Sequence, residues 1–237
     1  MTLEEATEVF CTAFSAIKSR TYPYLLERQG GLRIMRDKPG RASPRKTEVI
    51  AVGLSPSETV EQVRKADLGW HFLCSIDEDG STFDALRAEY KALGYRAVST
   101  EWMFVHHLRE LPTLVSDPPA RRVGRESEWA SIPQMASQPR KLVPGRRLYG
   151  VWDAHRDYGW CESMPVGDAA WVHALHVHRD FRRRGYGGAL MSALLQDDKC
   201  NGISTSVLLA SSDGARLYPR LGYERIGVLQ MFCPARR

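Results

Sequence analysis

The chain has 237 residues, enough for one large domain or two small ones at roughly 100–200 residues per domain. With 43% hydrophobic and 26% charged residues it reads as an ordinary globular protein with a sizeable core. Its net charge of +5 (pI near 9.0) suits an anionic ligand but is too weak alone to argue for nucleic acid.

Three further readings narrow the class. No run of ~18 apolar residues is present, so no transmembrane helix and no membrane partner are expected. Met1-Thr2-Leu3-Glu4-Glu5 is acidic and has no signal-peptide pattern. Cys11, Cys74, Cys161, Cys200 and Cys233 are scattered without paired spacing, which predicts reduced thiols in a cytoplasmic protein, not a disulfide or zinc framework.

Along the chain, Leu3, Ala6, Val9, Phe10, Ala13, Phe14 and Ile17 recur at helical spacing and predict a first amphipathic helix over 3–18. The segment Tyr22 to Gly31 is ambiguous. Leu32–Met35 and Thr47–Gly53 read as short strands around a polar loop, Lys38–Lys46. Ser55-Pro56-Ser57-Glu58 opens a helix with a capping serine, a first-turn proline and early acid. Trp70–Ile76 is a strand and Asp77–Gly80 an acidic turn. Ser81–Leu93 is a helix stopped by Gly94, and a strand runs through Tyr95–Val105.

Residues 109–119 carry three prolines and read as a domain linker. This places one domain over 1–110 and another over 111–237. In the second, Glu126–Ser137 is weakly helical, and Arg147–Ala154 and Gly159–Ser163 form a hairpin turned by His155–Tyr158. Pro165–Asp168 turns into a strand ending at Val177. Beyond the glycine-bearing turn that follows lie a helix, a strand over Ser204–Ala210, a helix over Ser212–Leu221 and a last strand over Tyr223–Phe232. The pattern is mixed α/β.

An internal repeat links the two parts. Tyr90-Lys91-Ala92-Leu93-Gly94-Tyr95 through Trp102-Met103-Phe104 aligns without gaps on Tyr218-Pro219-Arg220-Leu221-Gly222-Tyr223 through Gln230-Met231-Phe232, at a constant offset of 128. Each copy follows a strand, a turn holding Asp-Gly, and a helix, which favours duplication.

The chemistry concentrates in Val172–Leu195. An apolar strand carrying His173 and His176 leads into Arg182-Arg183-Arg184-Gly185-Tyr186-Gly187-Gly188. A helical pattern with Leu190, Met191, Leu194 and Leu195 follows. Strand, glycine turn and helix make a phosphate-binding arrangement: glycine lets the backbone approach an anion, and the helix N-terminus points free N–H groups at it. Leu190 stands where a dinucleotide G-x-G-x-x-G would need its last glycine.

The turn, Arg182-x-x-Gly185-x-Gly187, resembles the coenzyme A signature of the GNAT superfamily of acyl-CoA-dependent N-acyltransferases. A second element, Leu208-Leu209-Ala210-Ser211-Ser212 through Leu217-Tyr218-Pro219-Arg220-Leu221-Gly222-Tyr223, is similar to the one that closes the GNAT fold. The likeness covers roughly 120–237. It implies a GNAT-like mixed central sheet with helices on both faces, preceded by a smaller α/β domain that is a degenerate GNAT-like or accessory unit without the phosphate turn.

The resemblance also implies roles. Backbone groups of Leu175-His176-Val177 would pair with the pantetheine arm of acetyl-CoA, and Arg182, Arg183, Arg184, Gly185, Tyr186, Gly187 and Gly188 would hold its pyrophosphate. Tyr218 matches the tyrosine that protonates the departing thiolate, a task for which a phenol of pKa ~10 is well matched. Where relatives carry a glutamate base, this chain has His173. A histidine of pKa ~6.5 can serve as base, and Asp153 and Glu162 are the alternatives. Ser211 stands where the family often has asparagine.

Strand alternation puts His173 on the face of Trp171, Leu175 and Val177, with His176 and His178 on the other. That split argues against a metal site. The expected activity is acetyl transfer to a primary amine of a small molecule or peptide, and a homodimer is the one oligomer the reading allows for. A non-catalytic acyl-CoA-binding sensor is the reading from another class. Nucleic-acid binding rests only on Arg182–Arg184 and the pairs Arg121/Arg122 and Arg146/Arg147, and is not expected.

Overall fold

A computed structural model describes residues 1–78, 80, 83–124, 128 and 145–235. The helix expected over Glu126–Ser137 and part of the turn Asp77–Gly80 lie outside the described residues. The chain condenses into two units, one comprising 1–103, 209–213 and 225 onward, the other 104–208 and 214–224.

In the first unit, α1 (Leu3–Lys18) opens with a reciprocal cap: Glu5 N–H donates to Thr2 Oγ1, and Thr2 N–H donates to Glu5 Oε2. The ambiguous segment is strand β1 (Tyr24–Gln29). It pairs with β2 (Leu32–Asp37) across Gly30 and Gly31, whose φ of 58° and 86° is the left-handed backbone that a two-residue hairpin needs. β3 (Thr47–Val52), α2 (Pro56–Lys65), β4 (His71–Asp77), α3 (Phe83–Ala92) and β5 (Tyr95–His107) follow. β3 and β4 run parallel, laddered from Thr47↔His71 to Val52↔Ile76.

The second unit holds β6 (Arg121–Arg122), β7 (Arg147–Trp152), β8 (Asp157–Val166), β9 (Ala169–Val177), α4 (Tyr186–Cys200) and the start of β10 (Thr205–Ser211). Its strands lie in the order β10-β9-β8-β7-β6, with β10 parallel to β9 and the others antiparallel. The helix expected over Ser212–Leu221 is instead two short 3-10 turns, Gly214–Arg216 and Tyr218–Leu221. Pro219 lacks an N–H and Gly222 takes φ 88°, so the segment has too few residues between breakers for a regular helix.

The compact units depart from a cut at 110/111. The last strand, β11 (Glu224–Pro234), belongs from Arg225 on to the first unit, where Val228↔Asp77 through Phe232↔Leu73 pair antiparallel with β4. β5 passes from the first unit to the second after Met103. The internal repeat explains why this packs. Tyr90 and Tyr95 meet edge-on at 6.1 Å, Tyr218 and Tyr223 at 5.6 Å. Each copy's tyrosine then takes the other copy's phenylalanine: Tyr90 lies on Phe232 at 4.2 Å, and Tyr218 on Phe104 at 5.6 Å.

The 109–119 segment has no regular structure, yet it is fastened along α4. Leu114 N–H donates to Ser192 Oγ, Ser192 and Gln196 donate to Pro112 O, and Tyr186 Oη donates to Asp117 O.

Candidate functional site

The site grows from the end of β9. Its ladder with β10 runs Thr205↔Ala169, Ser206↔Ala170 and Val207↔Trp171 and ends there, although β9 continues to Val177. The β10-facing backbone of Val172–Val177 therefore has no strand partner in that ladder, which is the edge an extended amide-bearing ligand can join. Leu175, His176 and Val177, the residues expected to meet pantetheine, sit on this stretch and are half-buried.

β9 runs out through a 3-10 turn, Arg179–Phe181, into the arginine-glycine turn. Arg182 Nε donates back to Val177 O at 3.1 Å, tying the turn to the strand end. Gly185 caps α4 with φ 86° and no side-chain hydrogen bond, so the N–H groups of the first helical turn are left for an anion. Arg183 also takes positive φ, 65°, and Arg182, Arg183 and Arg184 are exposed. Arg184 lies over the Phe181 ring, which packs edge-on against Tyr158.

The three glycines differ in kind. Gly185 needs its dihedral, and Gly188 has Leu114 Cδ1 2.9 Å from where a Cβ would sit. At Gly187 a Cβ would meet Leu217 Cδ2 at 3.6 Å and Val177 Cγ2 at 3.8 Å, ordinary contacts, so the protein itself does not demand glycine there. Those two neighbours also mark where the turn, the strand end and the residue before Tyr218 converge.

Tyr218 is buried, and burial, with a smaller push from Cys161, raises its phenol above the usual value of about 10. It is thus fully protonated at neutral pH, and less acidic than the near-balance with a thiolate that the sequence suggests.

His173 and His176 are not on opposite faces. His173 stands opposite Glu162 and His176 opposite Trp160, two residues apart on β8, so both side chains share one face. Ala174, with φ 55°, inserts an extra residue at a bulge and resets the alternation. His176 stacks on Trp160 at 4.4 Å, and His178 meets both rings edge-on while its Nε2 lies 2.6 Å from Asp157 Oδ2. Burial, then the charges of His178 and Arg182, lower the His176 pKa. Among the described residues no group of three or more His, Cys, Asp or Glu is arranged to hold a metal.

The alternative bases have other employment. Asp153 is half-buried; its Oδ2 accepts from Tyr158 Oη at 2.5 Å and its Oδ1 from the N–H groups of His155 and Arg156, which together hold its carboxyl at about 2. Glu162 is buried with Arg146, whose Nε donates to its Oε2 at 2.5 Å. Burial pushes the Glu162 carboxyl up, but His173 and Arg146 outweigh it and hold it at about 2. His173 Nε2 lies 3.1 Å from the same oxygen.

In sequence Arg146 is only half of a basic pair, named in a nucleic-acid reading that was not expected; the fold makes it the partner of Glu162. Its neighbours in that reading are likewise engaged internally: Arg147 with buried Asp198, Arg122 with Asp197, and Arg121 over the Trp152 ring. An isolated Arg-Arg pair beside a strand carries no sign of the carboxylate it will meet, so only the register could reveal it. A surface hollow of about 470 Å³, lined by Leu3, Val52, Ile76 and Asp77 among others, belongs to the first unit and contains none of these residues.

Comparison with known proteins agrees with this geometry. Residues 144–225 match the family model of the acetyltransferase (GNAT) domain. A GCN5-related N-acetyltransferase from Kribbella flavida superposes with a TM-score of 0.65 at 16% identity, covering 100% of this chain and 97% of that one. A GNAT-family acetyltransferase, described as putative, from Novosphingobium aromaticivorans gives 0.54 at 15% identity, over 97% and 96%. A tandem GNAT protein from the clavulanic acid biosynthesis pathway gives 0.50 at 13% identity, over 98% and 95%. These identities establish the fold and not the substrate. No curated protein sequence matches the chain. Residues 144–225 thus match a GNAT acetyltransferase domain, and the chain shares its fold with solved GNAT structures, a fold that serves acyl transfer from acyl-CoA.

Proposed function

We propose that the protein transfers an acetyl group from acetyl-CoA to a primary amine of a small molecule or peptide. The observation that carries this reading is the end of β9: an edge without a β10 partner beyond Trp171 runs directly into an uncapped, glycine-bearing helix N-terminus. The residues fit the co-substrate. The edge of Leu175–Val177 meets the amide-rich arm, and the N–H groups from Arg183 to Gly188 meet the pyrophosphate, with the exposed arginines adding charge. Acetyl-CoA supplies an activated thioester carbonyl. Tyr218 protonates the leaving sulfur and His173 takes the proton of the attacking amine.

Among the described residues the first unit has no equivalent site, so one cofactor per chain is the reading. At the corresponding helix, α2, Ser55 Oγ accepts from Glu58 N–H, Glu58 answers on Ser55 N–H, and Pro56 brings no N–H. The β3–β4 ladder also runs to the strand end, leaving no open edge there.

The test is a broad amine panel with release of free CoA as readout, comparing wild type with Tyr218→Phe. The expected result is turnover on at least one amine, lowered about 10²–10⁴-fold in the variant. Tight acetyl-CoA binding with no turnover on any amine would instead make the protein an acyl-CoA sensor.

A further inference from the structure

The packing around His173 bears on which ring nitrogen can act and what holds the ring in place. Glu162 faces His173 directly across the β8–β9 pair, and both Glu162 and Arg146 are buried. One carboxylate oxygen, Oε2, gathers Nε and Nη2 of Arg146 and, at 3.1 Å, Nε2 of His173. The His173 Nε2 atom is itself buried and has no hydrogen-bond partner among the described residues, whereas the side chain as a whole keeps 21% exposure. The rest of the ring is therefore the part that an acceptor can reach.

The tautomer follows from donor and acceptor bookkeeping. An ionised carboxylate accepts and cannot donate, so the nitrogen facing it carries the ring proton, and in a neutral imidazole the lone pair then sits on the other nitrogen. Arg146 matters as much as Glu162. Bound to the same oxygen, its guanidinium balances the charge of the buried carboxylate and fixes where that carboxylate sits against His173. Among the described residues, the titratable groups beyond the bulge on this side are His176 and His178, the latter held by Asp157.

We propose that Glu162, fixed by Arg146, is the positioning residue of the reaction: it holds His173 as the Nε2–H tautomer and leaves Nδ1 as the atom that takes the amine proton. The inference rests on the acyl-transfer reading above. In the step, the amine lone pair forms the C–N bond to the acetyl carbon. The C–S bond breaks with its electron pair on sulfur, and the sulfur takes the Tyr218 hydroxyl proton. The nitrogen's proton passes to His173 Nδ1, giving an imidazolium that faces Glu162 and then releases the proton to solvent, while the Tyr218 phenolate regains one.

The test is ¹⁵N NMR of the full chain labelled at histidine, without ligands, above the ordinary imidazole pKa of about 6.5. The His173 signals are identified by their loss in His173→Gln. The expected result is the Nε2–H pattern in wild type, a mixture of tautomers in Glu162→Gln with kcat/KM down at least about 10-fold, and return of the pattern with part of the rate in Glu162→Asp. Glu162→Gln leaves Arg146 buried without its counter-charge, so its fold is checked by circular dichroism; if it does not fold, the wild-type and Glu162→Asp tautomers decide. An Nδ1–H wild type overturns the inference, as does a folded Glu162→Gln with unchanged tautomer and rate. Failure of the parent reading looks different: His173→Gln would then turn over at the wild-type rate whatever the tautomer.

Discussion

Gly185 and Gly187, two residues apart, allow folding and the proposed binding role to be tested separately. Gly185 holds φ 86°, so Gly185→Ala is expected to cost about 1–2 kcal/mol of stability, seen as a lowered Tm without ligand. Gly187→Ala meets only ordinary contacts and is expected to leave that Tm within about 0.5 kcal/mol, while weakening acetyl-CoA binding in calorimetry. A Gly187→Ala protein that binds acetyl-CoA as wild type does would remove the turn from the binding site. Glu162 supports a second experiment at this scale. Its folded pKa is depressed, so its contribution to stability is present above the ordinary carboxylate range and is lost as pH falls from about 4.5 toward about 2. The Tm gap between wild type and Glu162→Gln should therefore be full at neutral pH and narrow across that window. A constant gap would mean that the carboxylate does not gain from its partners.

Among the elements, α2 and α4 follow parallel strands in their own units but end their first turns differently. Ser55 and Glu58 close α2 upon itself, whereas Gly185 leaves α4 open. Ser55→Ala should cost about 1 kcal/mol of stability without changing acetyl-CoA affinity, measured by melts and calorimetry on one sample. Equal loss of affinity would mean that the first unit also binds the cofactor. Much of this was legible in sequence, because caps and glycine turns act over three or four residues: the S-P-S-E of α2 and the R-x-x-G-x-G of the turn both lie where they were expected. The segment before Gly30 was not legible, since β1 alternates weakly and is half-exposed. The bulge at Ala174 was not either. Alanine gives no sign of φ 55°, and one inserted residue was enough to move His176 to the other face.

For the whole molecule, the repeat decides how the chain can be cut. Phe232 is fully buried against Tyr90, and Phe104 is buried against Tyr218, each completing the core that begins with the other copy. A fragment of 1–110 therefore lacks β11 and is expected to be unfolded by circular dichroism and NMR, while 1–237 with Phe232→Ala should lose about 3–5 kcal/mol. A well-folded 1–110 fragment would show that β11 is dispensable to the first unit.

The sequence alone determined the local devices: the helix caps, the glycine turn with its positive charge, and the tyrosine thirty-odd residues on, because each depends on a few neighbouring side chains. Tertiary structure alone decided which carboxylate reaches His173, which face His176 takes, and which phenylalanine covers which tyrosine. Those outcomes depend on strand register and strand exchange, where a shift of one residue reverses every side chain and residues far apart in the chain supply the partner.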